Sequence, residues 1–218
     1  MYCLARRSVG QSRLIYWVYR KNKKNEYYSR RARAEGFPAR SVYKLKEIDE
    51  KYKIFRWGDR VLDLGCAPGS WMMYAVQKVG DEGRVVGVDL GDLKISLAAN
   101  MRFVKNDITK LRFDDFLEFN KNFDVVISDL APKTTGVETA DVVNSVMLAN
   151  EALTLARLAL RPGGNFVCKV FECELAENFC KEVEESFRFV KRFRPKAVSK
   201  GSREFFIVAL DRKSPNNG

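Results

Sequence analysis

From residue 60 onward, short apolar runs alternate with stretches whose apolar residues recur at helical spacing. The runs at 60–64, 84–89, 101–105, 123–129, 165–171, 187–193 and 204–210 have the length and β-branched or aromatic content of strands. Helical spacing fills about 70–79, 109–119, 140–160 and 173–186. Such alternation predicts a doubly wound α/β sheet, largely parallel, with helices on both faces. The central runs are apolar without polar alternation, as strands covered on both faces require. Arg161-Pro162-Gly163-Gly164 is expected to end the long helix and reset the chain for a strand. Ahead of the sheet, Ser41 is placed to cap a helix over about 42–55 with apolar positions Val42, Leu45, Ile48, Tyr52 and Phe55. On a helical wheel Lys44 borders that stripe and Lys46 looks outward.

The length of 218 residues suits one α/β domain preceded by an arm. No apolar run approaches the roughly 20 residues of a membrane-spanning helix; Leu14 to Tyr19 is short and flanked by Arg13 and Arg20. The net charge of +11 is concentrated at the front: residues 1–53 hold 15 Lys/Arg against 5 Asp/Glu, and residues 54–218 hold 24 against 23. A nearly neutral body with a basic front points to a polyanion, nucleic acid first, because neutralised phosphates release counterions. A solvated arm has the same composition. Residues 1–25 carry seven basic residues and no acid. An organellar transit peptide shares that charge pattern but has more serine and a cleaner amphipathic stripe, so an RNA-binding arm is preferred. The five cysteines form no CxxC pair, and Cys66 and Cys168 sit in apolar runs. A cytoplasmic, reduced protein without structural metal is expected. The chain has no histidine, which removes Ser-His-Asp and Cys-His chemistry and leaves Lys, Asp, Glu, Tyr or Cys as general base.

Two constellations carry chemistry. The first runs from Val61 to Trp71, a strand, a glycine turn and a helix start. Gly65 and Gly69 admit a ligand close to the backbone, and Asp63 is placed to brace the loop. Asp89 ends the next strand, where it can accept from ribose hydroxyls, and Asp107 follows the third strand, where it can receive an adenine amino group. The Asp63-x-Gly65-x-x-x-Gly69 spacing lacks both GxGxxG and a P-loop Gly-Lys-Ser/Thr, so it fits a nucleoside amino-acid cofactor, S-adenosylmethionine, better than a pyrophosphate. The second constellation is Lys169 and Asp129, charged residues at the carboxyl ends of buried strands, the ligand edge of an open α/β sheet. If the last strand is antiparallel, Glu204 begins it at that same edge, and Lys44 on the preceding helix completes two lysines and two carboxylates. Taken singly, each residue could belong to a structural salt bridge.

These segments resemble the FtsJ-type (RlmE) ribosomal RNA large-subunit 2′-O-ribose methyltransferases. The resemblance rests on ARSVYKLKEI from Ala39, LGCAPGSW from Leu64, SDLAP from Ser128, CKVF from Cys168 and SREFFIVA from Ser202, and covers roughly residues 26–212. It implies a Lys-Asp-Lys-Glu tetrad at Lys44, Asp129, Lys169 and Glu204, with Lys169 nearest the chemistry. It implies cofactor contacts at Gly69, Trp71, Asp89, Asp107 and Asp129, to which the glycine turn adds Asp63 and Gly65. It also implies a seven-stranded, Rossmann-like methyltransferase sheet, mostly parallel with an antiparallel last strand. The expected domains are a basic arm at 1–40, a methyltransferase domain at 41–212 and a tail at 213–218.

The expected reaction moves a methyl group from S-adenosyl-L-methionine to a ribose 2′-hydroxyl, in a uridine of large-subunit ribosomal RNA or the assembled subunit. A neutral Lys169 would take the proton; a charged Lys169 would orient the hydroxyl. RNA is expected along Arg30, Arg31, Arg33 and Arg40, with Tyr27, Tyr28 and Phe37 able to stack on bases or to pack together. The protein is expected to be a monomer. A transfer RNA ribose methyltransferase and a non-catalytic RNA-binding ribosome-assembly factor are the rival readings; the intact tetrad speaks against the latter.

Overall fold

The structure is a computed structural model that describes residues 23–111, 122–132, 136 and 138–214. Helix α1 covers residues 23–34, followed by α2 (Val42–Tyr52), β1 (Arg60–Leu64), α3 (Ser70–Val79), β2 (Arg84–Asp89), β3 (Met101–Lys105), β4 (Phe123–Ser128), α4 (Glu138–Ala159), β5 (Leu160–Phe171), α5 (Glu174–Ser186), β6 (Phe187–Phe193) and β7 (Glu204–Arg212). The strands form one sheet in the order β3-β2-β1-β4-β5-β7-β6. Neighbours from β3 to β5 are parallel, and β7 runs antiparallel to both β5 and β6. This is the seven-stranded sheet expected from the sequence.

Strand parity divides the core. Leu62, Leu64, Val126, Phe166 and Ile207 face α4 and α5, where Ala152, Leu153, Phe179 and Val183 cover them. Val61, Val125, Ile127, Val167, Phe206 and Val208 face α2 and α3, where Leu45, Ile48, Trp71 and Met72 cover them. Each strand from β1 to β7 in the centre is thus apolar on both sides. Ala32 and Phe37 join the second cluster, so residues 23–40 pack onto the body from α1 onward.

Several local expectations shift. Helix α2 stops at Tyr52, because Lys53 takes a left-handed conformation (φ 53°) and its N–H returns to the Asp49 carbonyl. Phe55 is nevertheless buried, in the turn beyond the helix. Ser41 precedes α2 in right-handed helical conformation and makes no side-chain cap; its carbonyl instead accepts the Trp71 indole N–H at 3.0 Å. The Arg161–Gly164 segment lies inside β5 as a bulge: Leu160 pairs with Phe123, and pairing resumes at Asn165 with Val125. Arg161 fixes that bulge through Asp124 at 2.5 Å. Of the helix expected at 109–119, Ile108–Lys110 is a short 3-10 turn capped by Asp107, and residues 112–121 lie outside the described residues. So do residues 1–22, with Arg13, Arg20 and the front half of the expected arm, and residues 215–218 of the expected tail.

Helix α3 seats on the sheet through Gly87 of β2. A Cβ there would stand 2.3 Å from Met72 Sδ and 2.7 Å from Cys66 Sγ, closer than packed atoms approach. Overpacking of this kind costs about 1–3 kcal/mol. Gly87→Ala is therefore expected to lower the urea midpoint by a corresponding amount; a wild-type midpoint would show that Met72 yields freely.

Candidate active site

The sheet builds the site at the carboxyl edge of its parallel strands. Ser128 of β4 pairs with Cys168 of β5, so Asp129 and Lys169 emerge side by side. Both continue the parity of Ile127 and Val167 and therefore face α2. Because β7 is antiparallel, it opens at this edge, and Glu204 pairs with Phe171 there. Helix α2 supplies Lys44, one position from the buried stripe.

Lys169 Nζ lies 3.0 Å from Asp129 Oδ1 and donates to the Asp129 carbonyl at 2.7 Å. Lys44 Nζ lies 2.8 Å from Glu204 Oε1 and 3.7 Å from Asp129 Oδ1, over the face of Phe206. Lys169 is 5% exposed, and the Glu204, Lys44 and Asp129 side chains are 13%, 15% and 16% exposed. The two lysines and two carboxylates thus form one nearly dry cluster of zero net charge. Burial opposes the charge on Asp129, but the Lys169 and Lys44 ammoniums overcome it and hold its carboxyl below the usual range. Burial likewise opposes the Lys44 charge, and Asp129 and Glu204 overcome it and raise its pKa.

Beside the cluster lies a cleft of about 510 Å³, lined by Gly65, Ala67, Asp89, Asp107, Asp129, Leu130, Pro132 and Leu148 among others. Asp89 holds the glycine turn in place: Oδ2 accepts from the Ala67 N–H at 2.8 Å and Oδ1 from the Gly91 N–H at 2.7 Å. Asp107 accepts from the N–H and hydroxyl of Thr109, and these bonds, the backbone one first, lower its pKa. Gly65 has φ +79°, and a Cβ on it would meet Leu130 Cδ2 at 2.8 Å, so both its conformation and its missing side chain are required. Asp129 is shared by cleft and tetrad.

Asp63 occupies a different place from the one its motif suggests. It is fully buried in β1, and neither carboxylate oxygen has a hydrogen-bond partner among the described residues. It therefore does not brace the loop, a role taken by Asp89. Burial first, then the charges of Asp129 and Asp89, push its pKa well above the ordinary value. Trp71 also departs from expectation. Its ring is buried near Phe206 (5.9 Å), its N–H is committed to Ser41, and it is not part of the cleft lining; it ties α3 to the start of α2. Gly69 (φ +110°) lies against Ile95, at 2.6 Å from a notional Cβ, and shapes the turn from behind.

The donor set suits S-adenosylmethionine. Asp89 and Asp107 offer acceptors for ribose hydroxyls and an adenine amino group, and their carboxylates, with that of Asp129, make the lining acidic and attractive to an ammonium or sulfonium. The described lining contains no lysine or arginine, which disfavours a dinucleotide pyrophosphate or a nucleoside triphosphate.

Of the arginines expected to meet RNA, Arg30 and Arg33 are exposed on α1. Arg31 pairs with Glu35 at 2.7 Å and covers the Tyr43 ring. Arg40 bonds Asn25 and, at 3.2 Å, Ser199 Oγ. The aromatics divide: Tyr27 is 59% exposed, Tyr28 packs on Tyr43 (5.2 Å), and Phe37 is buried. Lys46 does not simply look outward; it folds over Phe37 and pairs with Glu35 at 2.5 Å. Sequence reasoning missed Glu47, three residues from Lys44 on α2, which accepts the Lys196 and Ala197 N–H groups at 2.6 and 2.8 Å. It also missed buried Asp49, which accepts the Tyr74 hydroxyl at 2.8 Å and meets Lys78 at 3.0 Å. A carboxylate bordering the apolar stripe was the signal available for Asp49; Glu47 lies on the face away from that stripe and had none.

Comparison with known proteins agrees with this geometry. The model of the family described as FtsJ-like methyltransferase matches residues 37–212. The chain is 45% identical over 193 residues to ribosomal RNA large subunit methyltransferase E of Desulfatibacillum aliphaticivorans, covering 88% of this chain and 93% of that protein. It is 42% identical over 191 residues to the protein of the same name from Bdellovibrio bacteriovorus, covering 86% and 97%. In fold it resembles a putative ribosomal RNA methyltransferase from Plasmodium falciparum (TM-score 0.72, 23% identity, 82% of this chain and all of that one). It also resembles Aeropyrum pernix fibrillarin with natively bound S-adenosyl-L-methionine (TM-score 0.54, 18% identity, 78% and 76%).

The two buried aspartates respond to pH with opposite signs. The depressed pKa of Asp129 gives stability that is present above its unfolded value, about 3.9, and lost as pH falls through the folded value. The raised pKa of Asp63 makes the folded state hold a proton that the unfolded state releases, so stability falls as pH rises from about 4. In the cofactor-free protein, Asp129→Asn is expected to cost about 3 kcal/mol near neutral pH, shrinking below pH 4. Asp63→Asn is expected to become more stable than wild type as pH rises from 4 to 7. Urea titrations across this range check both; parallel curves for all three proteins would show neither carboxyl perturbed.

Proposed function

The chain belongs to the FtsJ-like methyltransferase family, and from that premise we propose that it transfers a methyl group from S-adenosyl-L-methionine to a ribose 2′-hydroxyl of large-subunit ribosomal RNA, a uridine in the free RNA or the assembled subunit. The observation that carries this reading is the junction of two environments at Asp129: a cleft whose described lining is acidic and without basic residues on one side, and the Lys44–Asp129–Lys169–Glu204 cluster on the other. The names of the relatives supply the RNA.

When bound, the cofactor supplies a methyl group already made electrophilic by its sulfonium. The remaining tasks are alignment and the handling of one proton. Asp89 and Asp107 hold the nucleoside end, Gly65 leaves room for it, and Asp129 faces the junction with the substrate. The Lys169 ammonium paired with Asp129 gives up its proton before the step, and the amine then accepts the hydroxyl proton at Nζ while the oxygen attacks. Lys44, held by Glu204, helps keep Asp129 oriented through the oxygen it shares with Lys169. Residues 41–212 form the transferase unit, and the basic segment before them faces the RNA. Among the described residues no helix is long and apolar enough to cross a membrane; we assign the chain to the cytoplasm, acting as a monomer.

Methyl transfer from labelled cofactor to large ribosomal subunits, free ribosomal RNA and transfer RNA tests the reading, with the product mapped as an alkali-resistant nucleotide. Labelled transfer RNA alone would replace the substrate; no labelling of any RNA would leave a binding protein. Lys169→Ala and Lys169→Arg are both expected to lower kcat by about 10²–10⁴ with cofactor binding retained. Arginine keeps the charge but cannot accept the proton, so wild-type turnover in Lys169→Arg would make Lys169 an orienting cation.

A further inference from the structure

Asp63 is left unused by the mechanism, and its surroundings give it no structural task. It is completely buried, and both carboxyl oxygens lack a hydrogen-bond partner among the described residues. Ionised there, it forfeits its hydration without return; protonated, it keeps an idle donor. Its place in the sheet is specific. Asp63 stands in register with Gly87 of β2 and Ile127 of β4. Strand alternation puts the next residues on that face at Gly65, Asp89 and Asp129, one repeat of about 7 Å further along. All three line the cleft. Asp63 therefore lies behind the cleft floor, in the middle of the row that makes it.

Charged groups approach this acid from several elements, and none of those described pairs with it. Asp89 of β2 and Asp129 of β4 raise the cost of a charge on Asp63 beyond that of burial. Asp129 is already matched by Lys169 of β5 and Lys44 of α2, so both ammoniums are engaged elsewhere. The turn after β1 brings the buried Cys66 thiol, which lies with Met72 Sδ against Gly87. Asp107, beyond β3, adds a further acid to the cleft lining. On the covering helices, Tyr74 and Lys78 of α3 are engaged with Asp49 of α2. Surrounded in this way, Asp63 retains its proton, and a cation able to change the balance has to arrive through the cleft.

We propose that Asp63 carries a proton in the cofactor-free protein, releases it to solvent when a sulfonium donor occupies the cleft, and takes one back once the sulfur has become a neutral thioether. This rests on the S-adenosylmethionine reading of the cleft and deepens it. Asp63 touches no reactant; it is a positioning residue that acts through the field of the floor. The protons balance over a cycle, since one leaves Asp63 on binding and one returns after transfer, and only the hydroxyl proton is released net. Donor and product thus meet differently charged forms of the same floor. Donor binding that expels a proton strengthens as pH rises, and product binding that expels less strengthens less. Discrimination between the two therefore grows with pH.

Calorimetric titration of the full chain with S-adenosyl-L-methionine and, separately, S-adenosyl-L-homocysteine, in two buffers of different ionisation enthalpy, counts the protons released. Both ligands carry the same amino and carboxyl groups, so the difference between them isolates the sulfonium. Near neutral pH the wild type is expected to release up to about one proton more with the donor than with the thioether. The ratio of the two affinities is expected to rise with pH, by at most about tenfold per unit. In Asp63→Asn the excess release and the pH dependence of the ratio are expected to vanish. Lys169 is the other group whose proton a sulfonium could expel. Lys169→Arg keeps the cation beside Asp129 but cannot lose its proton, and is expected to keep the excess. Excess release that persists in Asp63→Asn, or disappears in Lys169→Arg, would overturn the inference; should Asp63→Asn misfold, Lys169→Arg decides alone. Equal release by both ligands in wild type would also overturn it, and the cofactor reading would stand on the binding itself. Failure of both ligands to bind would remove the cofactor reading and this role of Asp63 with it.

Discussion

A buried ammonium beside a buried carboxylate is expensive to assemble. Each ion loses several kcal/mol of hydration after relaxation, and at 3.0 Å the Lys169–Asp129 attraction returns about 5 kcal/mol at an effective dielectric constant near 20. The two sides nearly cancel, so the pair contributes little net stability. Its contribution is placement. Ser128 and Cys168 are register partners on adjacent parallel strands, and the residues that follow them have no choice but to meet on the α2 face.

The rest of the architecture answers the demands of that pair. Lys44 joins Lys169 at the same Asp129 oxygen, Oδ1, and Glu204 neutralises Lys44. Glu204 reaches this edge only because β7 is antiparallel, since a parallel strand would begin at the far end of the sheet. Lys44 reaches it only if α2 is held in register. That register comes from Trp71 bonding the Ser41 carbonyl, Ser70 exchanging hydrogen bonds with Ala39, and Asp49 receiving the Tyr74 hydroxyl.

Elements set by periodicity were legible in the sequence, and elements set by partners were not. The runs at 60–64 and 84–89 have the bounds of β1 and β2, because buried parallel strands and their turns leave a strong apolar signature, and those at 101–105 and 187–193 have the bounds of the edge strands β3 and β6, which their aromatic and β-branched residues mark. The tetrad was legible because charged residues inside such runs stand out, and because alternation fixes the face they share. The roles of Asp63 and Trp71 were not. Bracing by Asp63 was a plausible local contact, but the hydrogen bonds belong to Asp89, twenty-odd residues away across β2, and only the β1–β2 register reveals which carboxylate reaches Ala67. Trp71 sits in a cofactor motif, yet its indole serves α2, a contact thirty residues distant in sequence. Glu47 is the same case at longer range: nothing near it in the chain announces a clamp on Lys196 and Ala197.

The distribution of charge around the site bears on turnover as well as on recognition. A sulfonium reactant is cationic and its thioether product neutral, so an acidic cleft prefers reactant to product and favours exchange between cycles. Carried to the reacting centre, the same preference would hold the reactant more tightly than a transition state whose positive charge is dispersing, and would slow the step. The structure separates the two effects. On the proposed function Asp89 and Asp107 would meet the nucleoside end, where no charge changes, while Asp129, at the end beside the tetrad, is offset by Lys169 and Lys44. Neutralising Asp129, the carboxylate shared by cleft and tetrad, leaves the attraction for a cationic donor in the remainder of the cleft and removes it from the end beside the tetrad, which is the arrangement a cationic methyl donor requires.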